Sequence, residues 1–210
     1  VDPRPPAASA PYTYFLPLAP RLDGIAPNDL VKLVFRAIPA SDEWDAERMW
    51  VKVKSVGPDE MEGELDSTPS DIPGLQAGAR VRFVRTLVID VIFDDPEKEN
   101  RIPKDLRREY WERCLVDRCV LDDRVPVHYI YREEPDMGEE GDKYADSGWR
   151  IRGDMRSCSE EDLAARELAY VALGAVLNED DSWLHLIDEP RGSAFERDFE
   201  TGAYLATDQA

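Results

Sequence analysis

Cationic side chains are scarce in this chain. Its 210 residues hold 26 Lys and Arg against 45 Asp and Glu, a net charge of −19. Nucleic acid and anionic membranes are held by clustered Lys and Arg, so this balance argues against both as partners. It favours solubility and steers association with a basic partner. Histidine is nearly missing, with only His128 and His185. His128 falls in an apolar strand pattern and His185 in a short amphipathic stretch, so each reads as a core or surface histidine rather than a base or ligand. The three cysteines, Cys114, Cys119 and Cys158, are too few and too scattered for a disulfide framework, which fits a reducing, cytoplasmic compartment. Cys114 and Cys119 have no nearby His, so zinc spacing is lacking. No apolar run is long enough to span a bilayer, and no signal-peptide pattern opens the chain.

Catalytic signatures are missing too. There is no Walker A motif and no Gly-x-Gly-x-x-Gly, and Gly192-Ser193 lacks the rest of a nucleophile elbow. Carboxylates cluster at Asp94-Asp95, Asp122-Asp123, Glu139-Glu140 and Glu179-Asp180-Asp181. A hard cation needs several oxygens converging with alternate spacing, so adjacent carboxylates read as solvated faces or helix caps. The expectation is a non-enzymatic protein with no cofactor and no metal.

What is present is a succession of short strands. Residues 1–11 are rich in proline and small residues and read as an extended arm. Tyr12 to Leu18 suits an edge strand between prolines. Leu30–Arg36 is β-branched and apolar. Met49–Val56 alternates, turns at Gly57-Pro58-Asp59, and returns as Met61–Leu65. Arg80–Val84 alternates, and Leu87–Phe93 is continuously apolar. Short strands at close spacing with Gly and Pro between them predict a small antiparallel, barrel-like sheet over 12–94.

Residues 95–103 are charged and proline-bounded, and read as a linker. Leu106, Tyr110, Trp111, Cys114 and Leu115 fall at helical spacing, with Arg108–Glu112 and Glu109–Arg113 as i,i+4 pairs, so 104–118 reads as a bridging helix. Residues 119–210 then read as an α+β domain. Val125–Arg132 is a strand. Ser159 and Asp162 make a capping box for a helix reaching about Ala169. Tyr170–Leu177 leans towards strand, Ser182–Ile187 towards a short helix, and Phe199–Ala206 towards a last strand. The fold class expected is α+β throughout.

Two clusters share one grammar of turn, aromatic and charge. Asp146-Ser147-Gly148-Trp149-Arg150 opens a strand, and Gly192-Ser193-Ala194-Phe195-Glu196-Arg197 opens another. Trp149 reads as a core anchor. Arg150 and Arg197, beside Asp146 and Glu196, suit an internal charge-assisted network joining the two turns. Asp146, Trp149, Arg150, Glu196 and Arg197 are the candidates for binding a ligand or partner if part of that network faces a cleft.

Two resemblances follow from these motifs. Trp50-Val51-x-Val53, Gly63-x-Leu65, Pro69, Leu75-x-x-Gly78-x-x-Val81-x-Phe83 and Ile89-Asp90 resemble a small bacterial β-rich domain family of unknown function, with Val91 where that family commonly has Trp. This covers about residues 40–93 and speaks to fold. Tyr129-x-Tyr131-Arg132, the Asp146 and Gly192 clusters, Gly153-Asp154 and the Leu177-to-Trp183 segment resemble a bacterial domain of unknown function grouped with the immunity proteins of polymorphic toxin systems, over about residues 115–206. That resemblance implies a small α+β domain and the neutralisation of a toxin; taken with the acidic charge and the missing catalytic set, it leads to the expectation of occlusion of a basic protein partner. The alternatives are a regulatory or small-ligand-binding module with a pocket under the Asp146 turn, and an enzyme using clustered carboxylates.

Overall fold

A computed structural model of the chain describes residues 1–39, 46–102, 104, 107–138 and 141–207. The chain divides into two units, Val1–Arg108 and Glu109–Ala210. Both combine sheet with helix, so the α+β class expected from the sequence is the class observed. Among the described residues no helix is long and apolar enough to cross a membrane.

The first unit is built on five strands: β1 (Leu30–Arg36), β2 (Ala46–Val56), β3 (Met61–Leu65), β4 (Arg80–Phe83) and β5 (Asp90–Ile92). Their order is β4-β3-β2-β1-β5, every neighbouring pair antiparallel. Alternation sends Val31, Leu33, Met49, Val51, Val53, Met61 and Leu65 into the core. The sheet is open: β4 and β5 are its edges, and the barrel-like closure suggested by strand spacing does not occur. The apolar run 87–93 does not form one strand. Its start falls in a 3-10 turn, Arg85–Leu87, and β5 is left too short to reach round to β4.

Helices stand where the sequence suggested none. α1 (Arg4–Ser9) lies inside the proposed extended arm, because Pro5 and Pro6 preset the helical φ of a first turn and Ala7-Ala8 continue it. No strand forms at 12–18, and α2 (Ala19–Asp23) follows with Pro20 in its first turn. The segment 95–103, read as a linker, contains α3 (Pro96–Arg101), whose N-cap Asp95 accepts from the Glu97 N–H. α3 is tied to the first unit: Lys98 Nζ lies 2.9 Å from buried Asp29, and Glu99 lies 2.8 Å from buried Arg21.

The second unit holds β6 (Arg113–Asp117), α4 (Arg118–Asp122), β7 (Val127–Arg132), β8 (Asp146–Gly153), α5 (Glu160–Ala164), β9 (Leu168–Ala172), α6 (Leu173–Glu179), a 3-10 turn at Leu184–Leu186, β10 (Ala194–Arg197) and β11 (Tyr204–Thr207). The six strands run β11-β10-β7-β8-β6-β9, with β6 parallel to β8 and all other pairs antiparallel. One face packs Phe195, Ile130, Ile151, Val116 and Ala169 against Val120 of α4, Leu173, Val176 and Leu177 of α6, and Trp183.

The bridging helix at 104–118 is not found. Residues 103, 105 and 106, including Leu106, lie outside the described residues, and 113–117 is strand β6. Tertiary pairing overrides the weak i,i+4 terms here: β6 is hydrogen-bonded on both sides, Cys114 and Val116 facing the core and Leu115 the other face. The backbone before it caps α6, whose Leu173 and Gly174 N–H groups donate to Glu112 O at 2.8 Å and Tyr110 O at 2.9 Å. The Ser159–Asp162 capping box is present, but α5 ends at Ala164 because Leu168–Ala172 is taken up as the partner of β6. The stretch 170–177 is therefore split between β9 and α6. The expected helix at 182–187 is a single 3-10 turn, and the last strand begins only at Tyr204.

Candidate functional site

The Asp146 turn is built from its own backbone outwards. Asp146 Oδ1 accepts from the Gly148 N–H at 3.0 Å, and Ser147 Oγ donates to Arg113 O at 2.6 Å. Gly148 has φ +80, and a Cβ there would lie 2.2 Å from Glu133 O. Only glycine fits, which brings β7 and β8 together where the loop leaves. Trp149 points into the core, fully buried, its Nε1 donating to Ile187 O at 3.2 Å and its ring 5.8 Å from Trp183.

Arg150 points to the opposite face and is also buried. It is held by Glu133, by Asp136 at 2.6 Å and by both oxygens of Asp146 at 3.0 Å. Burial pushes the Asp146 carboxyl up, but Arg150 and the N–H groups of Gly148 and Met137 outweigh it and hold the carboxyl below its ordinary value. The Arg150 guanidinium is correspondingly raised, its carboxylate partners outweighing its own desolvation. These contacts occupy Asp146 with Arg150 and backbone N–H groups, so the space under the turn is filled by the protein's own guanidinium.

The Asp146 and Gly192 clusters flank one strand. β8 and β10 both pair with β7, at its two sides, and Arg132 is the residue that touches both turns. Its N–H donates to Ser193 O at 2.9 Å and its carbonyl accepts from Gly192 N at 2.7 Å. Its Nε donates to Ser147 O at 3.0 Å, and its Nη1 to Glu189 O at 2.7 Å. In the sequence Arg132 stands in a motif without a role of its own, and the signal it offers is an arginine closing an aromatic strand before an acidic loop.

The four-residue network expected from the sequence does not form. Arg197 lies on the helix-packed face, 3.0 Å from Asp180, whereas Glu196 lies on the other face, 3.3 Å from His128 Nε2. Neighbouring residues of a strand alternate between faces, so Glu196 and Arg197 cannot both meet Arg150. A second buried ionic group stands on the Arg150 face: Asp117 lies 3.1 Å from Arg152 and 2.7 Å from Arg166, and accepts from the Gly153 N–H at 3.0 Å. His128 Nδ1 accepts from the Met155 N–H at 3.1 Å, which assigns the imidazole proton to Nε2, facing Glu196.

The strand register lays two rows of side chains across this face. One reads Thr207, Ala194, Tyr131, Arg150, Leu115, Tyr170 from β11 to β9; the other reads Leu205, Glu196, Tyr129, Arg152, Asp117, Leu168. Both buried ionic groups lie on the β8 side of a pair of half-buried tyrosines, Tyr129 and Tyr131, whose ring centres are 5.6 Å apart. Leu205 and Leu168 are exposed at the two ends. The opposite face carries α4 and α6, while α5 borders this one, its Leu163 carbonyl accepting from Arg152 Nη2 at 3.5 Å. The second unit also holds most of the charge, with 26 acidic against 11 basic residues for a net of −15, against 19 and 15 for −4 in the first.

Residues 114–208 match the family model described as Immunity protein Imm33 domain, a stretch of fewer than half of the 210 residues that begins one residue inside β6. No curated protein and no solved structure matches the chain. The match bears out the resemblance to immunity proteins drawn from residues 115–206, and it supports an immunity-type role for this part of the chain.

Proposed function

We propose that this protein neutralises a basic protein toxin by covering part of its surface, with no chemistry, metal or cofactor of its own. The observation that carries this reading is a coincidence within one unit: the immunity-protein match at 114–208 falls on the part of the chain whose net charge is −15. Charge of that density raises the rate of encounter with a cationic partner and disfavours phosphate-bearing ones. Of the five residues singled out in the sequence, Glu196 presents its carboxylate to solvent. Asp146, Trp149 and Arg150 support the sheet from within, and Arg197 acts through Asp180. Three free thiols fit a reducing cytoplasm, where a toxin of this kind would be met.

The test is co-expression of the full chain with the toxin domain encoded beside it. Growth is expected to be restored and a stable complex to co-purify. Unrelieved toxicity together with no complex overturns the proposal.

A further inference from the structure

We infer that the face of the second unit's sheet opposite α4 and α6, centred on Tyr129 and Tyr131, is the surface that receives the toxin. The inference rests on the immunity reading and adds the location and chemistry of the contact. An antiparallel sheet with one packed face ordinarily shows polar side chains on the other. Here the middle of the open face carries two aromatic rings in contact, 5.6 Å apart, with exposed Leu205 and Glu196 beside them on β11 and β10. Neither tyrosine hydroxyl has a hydrogen-bond partner among the described residues. Half-buried tyrosines of this kind bring rigid apolar area and a free polar tip, the combination favoured at the centre of protein interfaces.

The platform is stiff. On its β8 side the pair is bordered by Arg150 with its three carboxylates and by Asp117 with Arg152 and Arg166, and of these Asp146, Arg150, Arg152 and Asp117 stand on strands. Little ordering remains for a partner to impose. The occupant is specified by charge: a unit of net −15, with Glu196 on the face itself, fits a cationic protein surface.

The experiment measures Kd between the full chain and the toxin domain encoded beside it, made inactive by substitution. Tyr131→Ala, Tyr129→Ala and Leu205→Lys are compared with Val84→Lys, an exposed position of the first unit, with circular dichroism confirming the fold of each. Because Leu205 is largely exposed, Leu205→Lys keeps the test valid if a tyrosine variant unfolds. Weakening of about tenfold or more by Leu205→Lys and by the folded tyrosine variants, with Val84→Lys unchanged and wild-type affinity falling as salt rises, is the expected result. Wild-type affinity in all variants overturns the assignment of the face and leaves the immunity reading standing. Failure of the unsubstituted protein to bind overturns that reading and this inference with it. A dimer of the chain that Leu205→Lys abolishes gives the face to a second copy and also overturns the inference.

Discussion

Arg132 lies against Trp149, its guanidinium carbon 5.6 Å from the ring centre, while its nitrogens reach the Ser147 and Glu189 carbonyls. One side chain thus spans the two turns that carry the family resemblance. Replacing Arg132 by Ala leaves both carbonyls without their charged donor. The expected loss is about 2–4 kcal/mol, since hydrogen bonds to charged groups contribute more than neutral ones. Urea unfolding of the wild type and the Arg132→Ala variant measures it, and unchanged midpoints would remove Arg132 from its central place.

Two glycines with positive φ separate conformational strain from collision. Gly148 and Gly192 have φ of +80 and +88, but a Cβ at Gly148 meets Glu133 O at 2.2 Å whereas one at Gly192 meets nothing within 4 Å. Gly192→Ala is expected to cost about 1 kcal/mol, and Gly148→Ala more than about 3 kcal/mol. Thermal unfolding of the pair reads the difference, and equal costs would contradict the close approach of β7 and β8.

Asp117 is fully buried between Arg152 and Arg166. Asp117→Ala leaves Arg166, itself largely buried, without its carboxylate and is expected to cost about 3–5 kcal/mol. Arg152→Ala is expected to cost only about 1 kcal/mol, because Arg152 reaches water and the facing Asp117 Oδ1 makes no well-aligned hydrogen bond. Chemical denaturation of both variants compares the two.

Acid should weaken the fold in a defined window. Asp146 is held below its ordinary value despite its burial, mainly by Arg150, and Asp154 is lowered to about 2 by its hydrogen bond from Arg156. A carboxyl depressed in the folded state contributes stability that is complete above its unfolded value, about 4, and is lost as pH falls through the folded value. Stability is therefore expected to decline from about pH 4 towards pH 2. The deficit of Asp146→Asn relative to wild type should be constant near neutrality and shrink below about pH 4. Unfolding curves across that range decide the point.

The thiols should divide by burial. Cys114 is fully buried and its thiol is pushed up by desolvation, whereas Cys119 and Cys158 are partly exposed. Alkylation of the native chain followed by mass spectrometry is expected to modify Cys119 and Cys158 and to spare Cys114 until denaturant is added.

Legibility in the sequence followed the range of the interactions. The β-branched run Leu30–Arg36, the hairpin of Met49–Val56 with Met61–Leu65, the Ser159–Asp162 box and the Asp-Ser-Gly turn are local, and each appears in the fold. Trp149 was readable as a core anchor because a large ring after a tight turn has few other places to go. Strand β6 was not readable, because its apolar positions also fit a helical stripe and its two partners lie about thirty to sixty residues downstream. The pairing of Arg197 with Asp180 was hidden for a related reason. Sequence proximity placed Arg197 beside Glu196, while the pleat sends the two to opposite faces.

The carbonyls of Tyr110, Glu112 and Arg113 are accepting groups for α6 and for the Ser147 hydroxyl. A fragment trimmed to the limits of the family match, starting at residue 114, would discard all three. The orphaned N–H groups of Leu173 and Gly174 would then have only solvent to turn to. Excision for transplantation into another chain therefore has its natural cut before Glu109, upstream of where kinship alone would place the scissors.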